Sequence, residues 1–385
     1  MQHQSKFNIE RMNVGNIPKI ISFLKNNYGI NYYGADQKYF DWFYTGCHCE
    51  WFERSRTKNE IPINAICDLN NEIIAIHAFI PFDVNTPDGT MRGAWDEEWI
   101  NGSGIPGLGR LLPPNLIKEV DVYVGVGCNE LSKKAFRKLG LRIFKDVPRL
   151  VGVINKRKLS EILGQFKQSN GVRIPDDLNI KAQSCHWELL PNTSYIPAVL
   201  FDYHKKIFPF SAKRSPQWVS WRYDNHPYIE YFILANEDKK KPGVAIIRLE
   251  LIDGFESHPI ARIVDLFPVP GFESTLLETC LSFAKSKDCL LIDLHTTSKI
   301  AGEQITEWAH NSGYCLADRP ATPYMYQPPI HSFERSYNFV IASQDKYKEN
   351  NLLENFHSTK ADSVQDILRR PASGAVLKRR SEKYR

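Results

Sequence analysis

Apolar positions along this chain follow two periods, and the two periods recur in the same order twice. Glu72 to Phe82 is largely apolar, Gly93 to Ile100 alternates, and Asp121-Val-Tyr-Val-Gly-Val-Gly127 is a short apolar run. Runs of this length rich in β-branched and aromatic residues predict strands, the last of them buried. Pro87-Asp-Gly89 predicts the turn between the first two. A glycine-rich stretch, Gly104-Ile-Pro-Gly107-Leu-Gly109-Arg110, then enters a predicted helix, and a second helix opens at Asn129 and closes at Lys138-Leu-Gly140-Leu141.

The second half repeats this order. Gln37-Lys-Tyr39-Phe-Asp-Trp42-Phe-Tyr44 and Gln217-Trp218-Val-Ser-Trp221-Arg-Tyr223 place aromatic residues at the same helical intervals. Strands are predicted at Gly243 to Ile252 and Ala261 to Phe267 around the turn Asp253-Gly254, and a last helix ends at Asn311-Ser-Gly313-Tyr314. We therefore expect a domain at 1–150, a connector at 151–195 with a short helix from Lys158 to Gln168, a second domain at 196–345 and a polar tail at 346–385.

The halves differ where a ligand would be held. In the first, a glycine turn leading into a helix aims backbone amides at one point, and the helix adds roughly half a positive charge there, which suits a pyrophosphate. In the second, Pro268-Val-Pro-Gly271-Phe-Glu-Ser274 stands in that place, and its prolines withhold two donors. Only the first half is expected to hold a phosphate.

These residues resemble the GNAT acyltransferases, whose acyl-CoA loop reads Gln/Arg-x-x-Gly-x-Gly/Ala and whose next helix opens with Asn and closes with Lys-Leu-Gly-Phe. Gly107 and Gly109 match the two glycines, Asn129 the helix-opening Asn, Ser132 the small residue and Gly140-Leu141 the closing pair. The resemblance implies an α/β (α+β) fold of two tandem GNAT-like domains, each a mixed, mostly antiparallel sheet flanked by helices. It also implies acyl-CoA as co-substrate, held by Trp99, Ile100, Gly104, Ile105, Gly107, Leu108, Gly109, Arg110, Asn129, Ser132 and Phe136. Two positions depart from the pattern. Gly104 replaces the Gln/Arg, which leaves the diphosphate to backbone amides and Arg110, and Phe136 replaces the Tyr that protonates the leaving thiolate in many members.

Tandem domains with a single CoA loop look like bacterial N-acyltransferases of nucleotide-linked amino sugars, such as a dTDP-3-amino-3,6-dideoxyhexose. They also resemble peptidyltransferases that use aminoacyl-tRNA, and a non-catalytic binding protein is a third reading.

Acyl transfer to an amine needs a proton acceptor. In Trp95-Asp96-Glu97-Glu98-Trp99 three carboxylates crowd a predicted central strand, where an unpaired carboxylate is costly. Glu97 is the first candidate, then Asp96 and Glu98, with salt-bridged or exposed acids as the alternative. His77 interrupts an apolar run and is either a satisfied core residue or a base. Alternation places Trp95, Glu97 and Trp99 on one face. Tyr32, Tyr33, Trp42, Tyr44, Trp95, Trp221 and Tyr223 either line an acceptor pocket or pack the core, and Lys213, Arg214 and Arg222 are candidates for a nucleotide diphosphate or plain surface charges.

At 385 residues, 42% hydrophobic and 24% charged, the chain has material for two cores. A net charge of +5, concentrated in the last dozen residues, gives little support for a nucleic-acid partner. The polar start and the lack of an eighteen-residue apolar run predict a cytoplasmic protein without a membrane partner. Eight scattered cysteines suggest reduced thiols, and Cys47-His48-Cys49 lacks a companion cluster, so no metal is expected. Monomer and homodimer remain equally open.

Overall fold

The computed structural model describes residues 7–55, 57, 59–126, 128, 130–144, 149–165, 185–236, 243–252, 255–296, 299–316, 339–343 and 356–357. The first half runs β1 (Asn8–Asn13), α1 (Ile17–Tyr28), α2 (Gln37–Phe40), α3 (Glu50–Ser55), β2 (Glu60–Cys67), β3 (Ile73–Thr86), β4 (Gly89–Asn101), α4 (Pro113–Glu119), β5 (Val122–Val126), α5 (Glu130–Lys138) and β6 (Arg142–Phe144). There follow β7 (Arg149–Val153), α6 (Lys156–Gln165), β8 (Trp187–Leu190), α7 (Ala198–Ile207), β9 (Ser211–Ala212), α8 (Pro216–Val219), β10 (Phe232–Asn236), β11 (Val244–Ile252) and β12 (Phe255–Phe267). The chain continues through α9 (Glu273–Ser286), β13 (Leu291–His295), α10 (Lys299–Asn311), β14 (Cys315–Leu316) and β15 (Phe339–Ser343).

The strands form two mixed sheets, ordered β1-β2-β3-β4-β5-β15-β6, with β9 against β3, and β14-β7-β13-β12-β11-β10-β8. Neighbours are antiparallel except β4 with β5 and β12 with β13, which run parallel. Those two pairs need crossovers, and α4 and α9 lie in them. The β3–β4 ladder reaches Thr86↔Gly89, so the turn is Pro87-Asp88 and both strands are longer than their apolar runs suggest. The turn expected at Asp253-Gly254 and the end of the expected helix beyond Gln165 lie outside the described residues.

The sheets exchange strands. β7 pairs with β13 in the second sheet, while β15 fills the first between β5 and β6. A division at 150 therefore cuts β7, and residues 339–343, expected with the second domain, belong to the first sheet. Pairing on both edges satisfies the backbone groups of the apolar segment Phe339-Val-Ile-Ala-Ser343. Phe356 and His357, expected in a polar tail, are buried, and Phe356 packs on Phe82 and Trp95.

The aromatic repeat is also structural. Asp36 caps α2 by accepting from the Tyr39 amide, Ser215 caps α8 by accepting from the Trp218 amide, and each helix widens into a π-turn, Asp41–Thr45 and Ser220–Asp224. Trp42 and Trp221 stack at 5.5 Å, and each indole N–H donates to the other's backbone carbonyl. Both lie in one apolar core that spans the halves, from Met12 through Trp42 and Trp221 to Val264 and Phe267. A second cluster fills the far side of the second sheet against α9, and a third, with Phe79, Tyr123 and Phe136, lies under α3, α4 and α5. No helix among the described residues is long and apolar enough to cross a membrane.

Candidate active site

Strand β4 carries the acids and is broken by a bulge. His77 pairs with Trp99 and Phe79 with Asp96, so Glu97 and Glu98 stand opposite Ala78 alone. One extra residue reverses the parity of everything beyond it. Trp95 accordingly packs with Phe82 in the core between the halves, whereas Trp99 packs on Phe136 in the cluster on the other face. The expectation that Trp95 and Trp99 share a face is corrected for this reason.

Beside the bulge, β5 ends at Val126 while β4 runs on. Their parallel pairing covers only Gly93 to Asp96 against Val122 to Gly125, although β4 continues to Asn101. From Glu97 onward β4 therefore has no β5 residue beside it, and Asp96 stands at the end of the shared ladder.

Asp96 is held by two neighbours. Tyr123 donates its hydroxyl to Asp96 Oδ1 at 2.6 Å, and His77 Nε2 lies 2.7 Å from the same oxygen and 3.2 Å from the Tyr123 hydroxyl. Burial, then the charge on Asp96, pushes the Tyr123 phenol well up, so it stays protonated and remains a donor. His77 is fully buried, and its Nδ1 has no hydrogen-bond partner among the described residues. Neither Tyr123 nor its link to His77 was expected, because one Tyr in an apolar strand reads as core.

Glu97 stands on the opposite side. Its two oxygens are shielded from solvent, and its charge acts on Tyr39 and Tyr44, whose phenols burial already raises well above their usual range. Tyr28, Tyr32, Tyr33 and Tyr39 form a continuous series of ring contacts at 4.4, 4.7 and 5.3 Å. Tyr28 is 50% exposed and Tyr39 2%, so the series leads from the surface inward. Glu98 is buried.

The glycine turn differs from the expected loop-to-helix entry. Gly104 and Gly107 have φ of +71° and +82°, and a 3-10 turn, Leu108–Leu111, precedes α4. Pro113 and Pro114 open α4, so its first positions have no N–H and the helix end supplies less than the sequence pattern suggests. Amides of Ser103, Ile105, Leu108 and Arg110 are used within the turn, while those of Gly104, Gly107 and Gly109 have no partner among the described residues. Added Cβ atoms at Gly104 and Gly107 would meet nothing within 4 Å, so both face open space. Trp99 ties the turn to β4 by donating Nε1–H to the Gly109 carbonyl at 2.8 Å. Ile105 and Arg110 are exposed, and Leu108 and Ile100 are buried.

In the second half the corresponding turn fills itself. Gly271 has the same φ of +82°, but its amide donates to the Glu273 carboxylate at 3.0 Å.

On α5, Phe136 is fully buried against Trp99 and Tyr123, at ring distances of 5.2 and 5.9 Å. Ser132 is partly exposed, and Asn129 lies outside the described residues. Burial and the charge on Asp96 push the nearby Cys128 thiol up, which keeps it from acting as a thiolate nucleophile.

The basic candidates are placed differently from one another. Arg214 is buried, bonded to Asp265 at 2.6 Å and lying 4.2 Å from the Trp218 ring centre, so it is an internal charge and not a surface diphosphate contact. Arg222 is buried with its guanidinium 5.4 Å from the Trp42 ring centre. Lys213 pairs with Glu50 at 2.8 Å on the more open side. Trp42 and Trp221 join the halves, and Tyr223 donates to Asp265 at 2.8 Å. His48 is exposed and faces Glu53, and no group of three metal-ligating side chains occurs among the described residues.

No protein-family model matches the chain, and no curated protein sequence matches it. Solved structures do. A GCN5-related N-acetyltransferase from Anabaena variabilis superposes with a TM-score of 0.54 at 11% identity, covering 87% of this chain and 72% of that one. A probable N-acyltransferase from Enterococcus faecalis, described as a conserved protein of unknown function, gives 0.53 at 10% identity, over 88% and 72%. A GCN5-related N-acetyltransferase from Kribbella flavida gives 0.50 at 10%, over 88% and 71%. With two mixed sheets flanked by helices and these superpositions, the chain has the fold of the GCN5-related N-acetyltransferases.

Proposed function

We propose that this protein is an acyl-CoA-dependent N-acyltransferase working in its first half. The observation that carries the reading is the contrast between the two glycine turns. The amides of Gly104, Gly107 and Gly109 are uncommitted among the described residues, whereas the Gly271 amide of the second copy is already taken by Glu273. An anion belongs at such amides, and in the second half the chain provides its own.

In this reading the CoA diphosphate lies on the turn and the thioester lies along β4 where that strand runs on past the end of β5. The acceptor nitrogen attacks the thioester carbonyl carbon directly, the C–N bond forms and the C–S bond breaks. Glu97 takes the proton from nitrogen. A backbone amide of β4 near the bulge donates to the carbonyl oxygen as it becomes anionic. Phe136 has no proton to give, so solvent protonates the departing thiolate. Asp96, oriented by His77 and Tyr123, keeps the end of the β4–β5 ladder polar.

For the acceptor we favour a nucleotide-linked amino sugar. The stacked series from Tyr28 to Tyr39 suits ring-shaped ligands, and Lys213 is the one candidate cation on the open side that suits a diphosphate. A thiol-release assay with acetyl- and 3-hydroxybutanoyl-CoA against a panel of amino-sugar nucleotides tests this. Turnover with an amino-sugar nucleotide is the expected result. Failure of CoA to bind in calorimetry would overturn the whole reading, and CoA binding without turnover on any sugar would overturn the acceptor assignment.

A further inference from the structure

On the face of the first sheet that lies under α3, α4 and α5, polar side chains stand in a row across five consecutive strands. Arg11 of β1 is paired in register with Asn64 of β2, and Asn64 with His77 of β3; Asp96 of β4 and Tyr123 of β5 continue the row. Arg11 donates its Nε–H to Asn64 Oδ1 at 2.7 Å, with its guanidinium 4.8 Å from the Phe79 ring centre. A guanidinium has only donors, so the oxygen of the Asn64 amide faces Arg11 and the nitrogen is turned away from it. That nitrogen is buried without a hydrogen-bond partner among the described residues, and so is Nδ1 of His77, its neighbour in the ladder. Two orphaned atoms on paired residues of one face share an explanation: the amide nitrogen has only protons to offer, and an imidazole nitrogen without a proton accepts one.

The other end of the imidazole crosses the bulge. His77 pairs with Trp99 and Phe79 with Asp96, and the extra residue of β4 lies between these two pairs. The bond from His77 Nε2 to Asp96 Oδ1, at 2.7 Å, therefore spans the irregularity diagonally, and Tyr123 donates to the same oxygen from β5 at 2.6 Å. A carboxylate offers only lone pairs, so Nε2 carries the proton. Donors along the row thus point one way, from Arg11 through Asn64 and His77 to Asp96. An extra residue in a strand leaves a backbone N–H outside the ladder, and its direction is only as well fixed as the residues beside it. Here the residue that flanks the bulge is held from both neighbouring strands at once.

We propose that Asn64, His77 and Tyr123 are positioning residues for the β4 amide that meets the thioester oxygen. Asn64 donates to His77 Nδ1 and so holds the ring with its proton on Nε2; His77 and Tyr123 then staple Asp96, which keeps the bulge in one shape. The inference rests on the reading of the first half as an acyl-CoA-dependent N-acyltransferase and names what preorganises its oxyanion contact. None of the three residues touches substrate. A donor aimed in advance needs no reorganisation as negative charge develops on the carbonyl oxygen. His77 is fully buried and Asn64 is 5% exposed, so bulk water does not compete for the bonds that set this geometry.

The test uses the full chain, with isotopically labelled histidine, and acetyl-CoA labelled at its carbonyl carbon. NMR of the parent should show the His77 ring, assigned by its loss in His77→Gln, with a proton on Nε2 and none on Nδ1. Asn64→Asp puts an acceptor where the donor was and should bring a second proton onto Nδ1. The carbonyl resonance of bound acetyl-CoA should move downfield from its free position, the mark of a hydrogen bond to the oxygen. His77→Leu and Tyr123→Phe should each lose most of that shift while affinity for acetyl-CoA stays near the parent's. His77→Gln, whose amide supplies an N–H close to the place of Nε2, should restore it. A proton on Nδ1 in the parent, an unchanged ring in Asn64→Asp, or the full carbonyl shift in both His77→Leu and Tyr123→Phe would overturn the proposal. The ring measurement on the parent stands whether or not any variant folds. Acetyl-CoA that binds the parent without a carbonyl shift removes the positioning role alone. Acetyl-CoA that does not bind removes the acyltransferase reading, and the ring protons then still decide whether Asn64 sets the tautomer.

Discussion

Trp42 and Trp221 donate their indole N–H groups to each other's backbone carbonyl oxygens, at 2.8 Å in both directions. A reciprocal pair of this kind arises where two copies of one motif meet about a local two-fold relation. Each N–H satisfies a carbonyl that the widened helical turn would otherwise leave buried and unmade. The stacked rings and the two bonds therefore fix the position of one half on the other.

Replacing either tryptophan removes a buried ring and deprives the partner's backbone carbonyl of its indole donor, while the substituted residue's own carbonyl still accepts from the remaining indole. Trp42→Ala and Trp221→Ala should each destabilise the fold by about 3–5 kcal/mol. The double variant should cost less than the sum, because the residues interact directly. Urea unfolding of the four proteins checks this, and simple additivity would show that the pair is not coupled.

At the glycine turn, strain and bulk can be separated. Gly107 has a positive φ and open space around it, so Gly107→Ala should cost only about 1 kcal/mol of stability. Gly107→Glu places a negative charge where the diphosphate is proposed and should abolish CoA binding while the protein stays folded. Calorimetry with CoA on both variants gives the answer, and unchanged affinity in Gly107→Glu would remove the turn from the site.

Glu97→Gln keeps size and shape and removes the proposed base. It should lower kcat by about 10²–10⁴-fold, with KM for acyl-CoA little changed. The pH–rate profile of the variant should lose its acidic limb. Parental rates across pH would assign proton transfer elsewhere.

His204 provides a pH test of stability. It is fully buried beside Phe208 and Phe267, and burial, then the charges of Arg214 and His357, holds its imidazole well below the usual histidine range. The unfolded chain therefore takes up a proton near pH 6.5 that the folded chain refuses. Between that pH and the depressed folded value, the unfolded state binds more protons, so stability rises with pH and falls on acidification by about 1.4 kcal/mol per pH unit from this group. Urea midpoints at pH 7.5 and 5.5 should differ in this direction, and His204→Leu should flatten the difference.

The sequence made the duplication legible because the aromatic spacing reports helical geometry directly, and Tyr39, Trp42 and Tyr44 match Trp218, Trp221 and Tyr223 without a gap. The glycine turn was legible for the same local reason. The bulge at Glu97 and Glu98 was not, since one extra residue changes which face a side chain takes without changing composition. That is why Trp95 and Trp99 read as neighbours and are on opposite faces. Arg214 read as a surface charge because its partner, Asp265, is fifty-one positions away. The strand exchange was invisible for a related reason, as apolar segments such as Phe339–Ser343 state that they pair but not with whom.

That exchange has a consequence for how the protein is made. On the ribosome, β5 emerges with its outer edge open, and the strand that closes it is encoded more than two hundred codons downstream. At about 5–20 residues per second the nascent first sheet waits on the order of 10–40 seconds for its missing member, a period of exposure in which chaperone contact or mispairing with another chain competes with closure. A truncated message would thus yield a first sheet without its closing strand, and the first half completes its fold only after translation has passed the second copy.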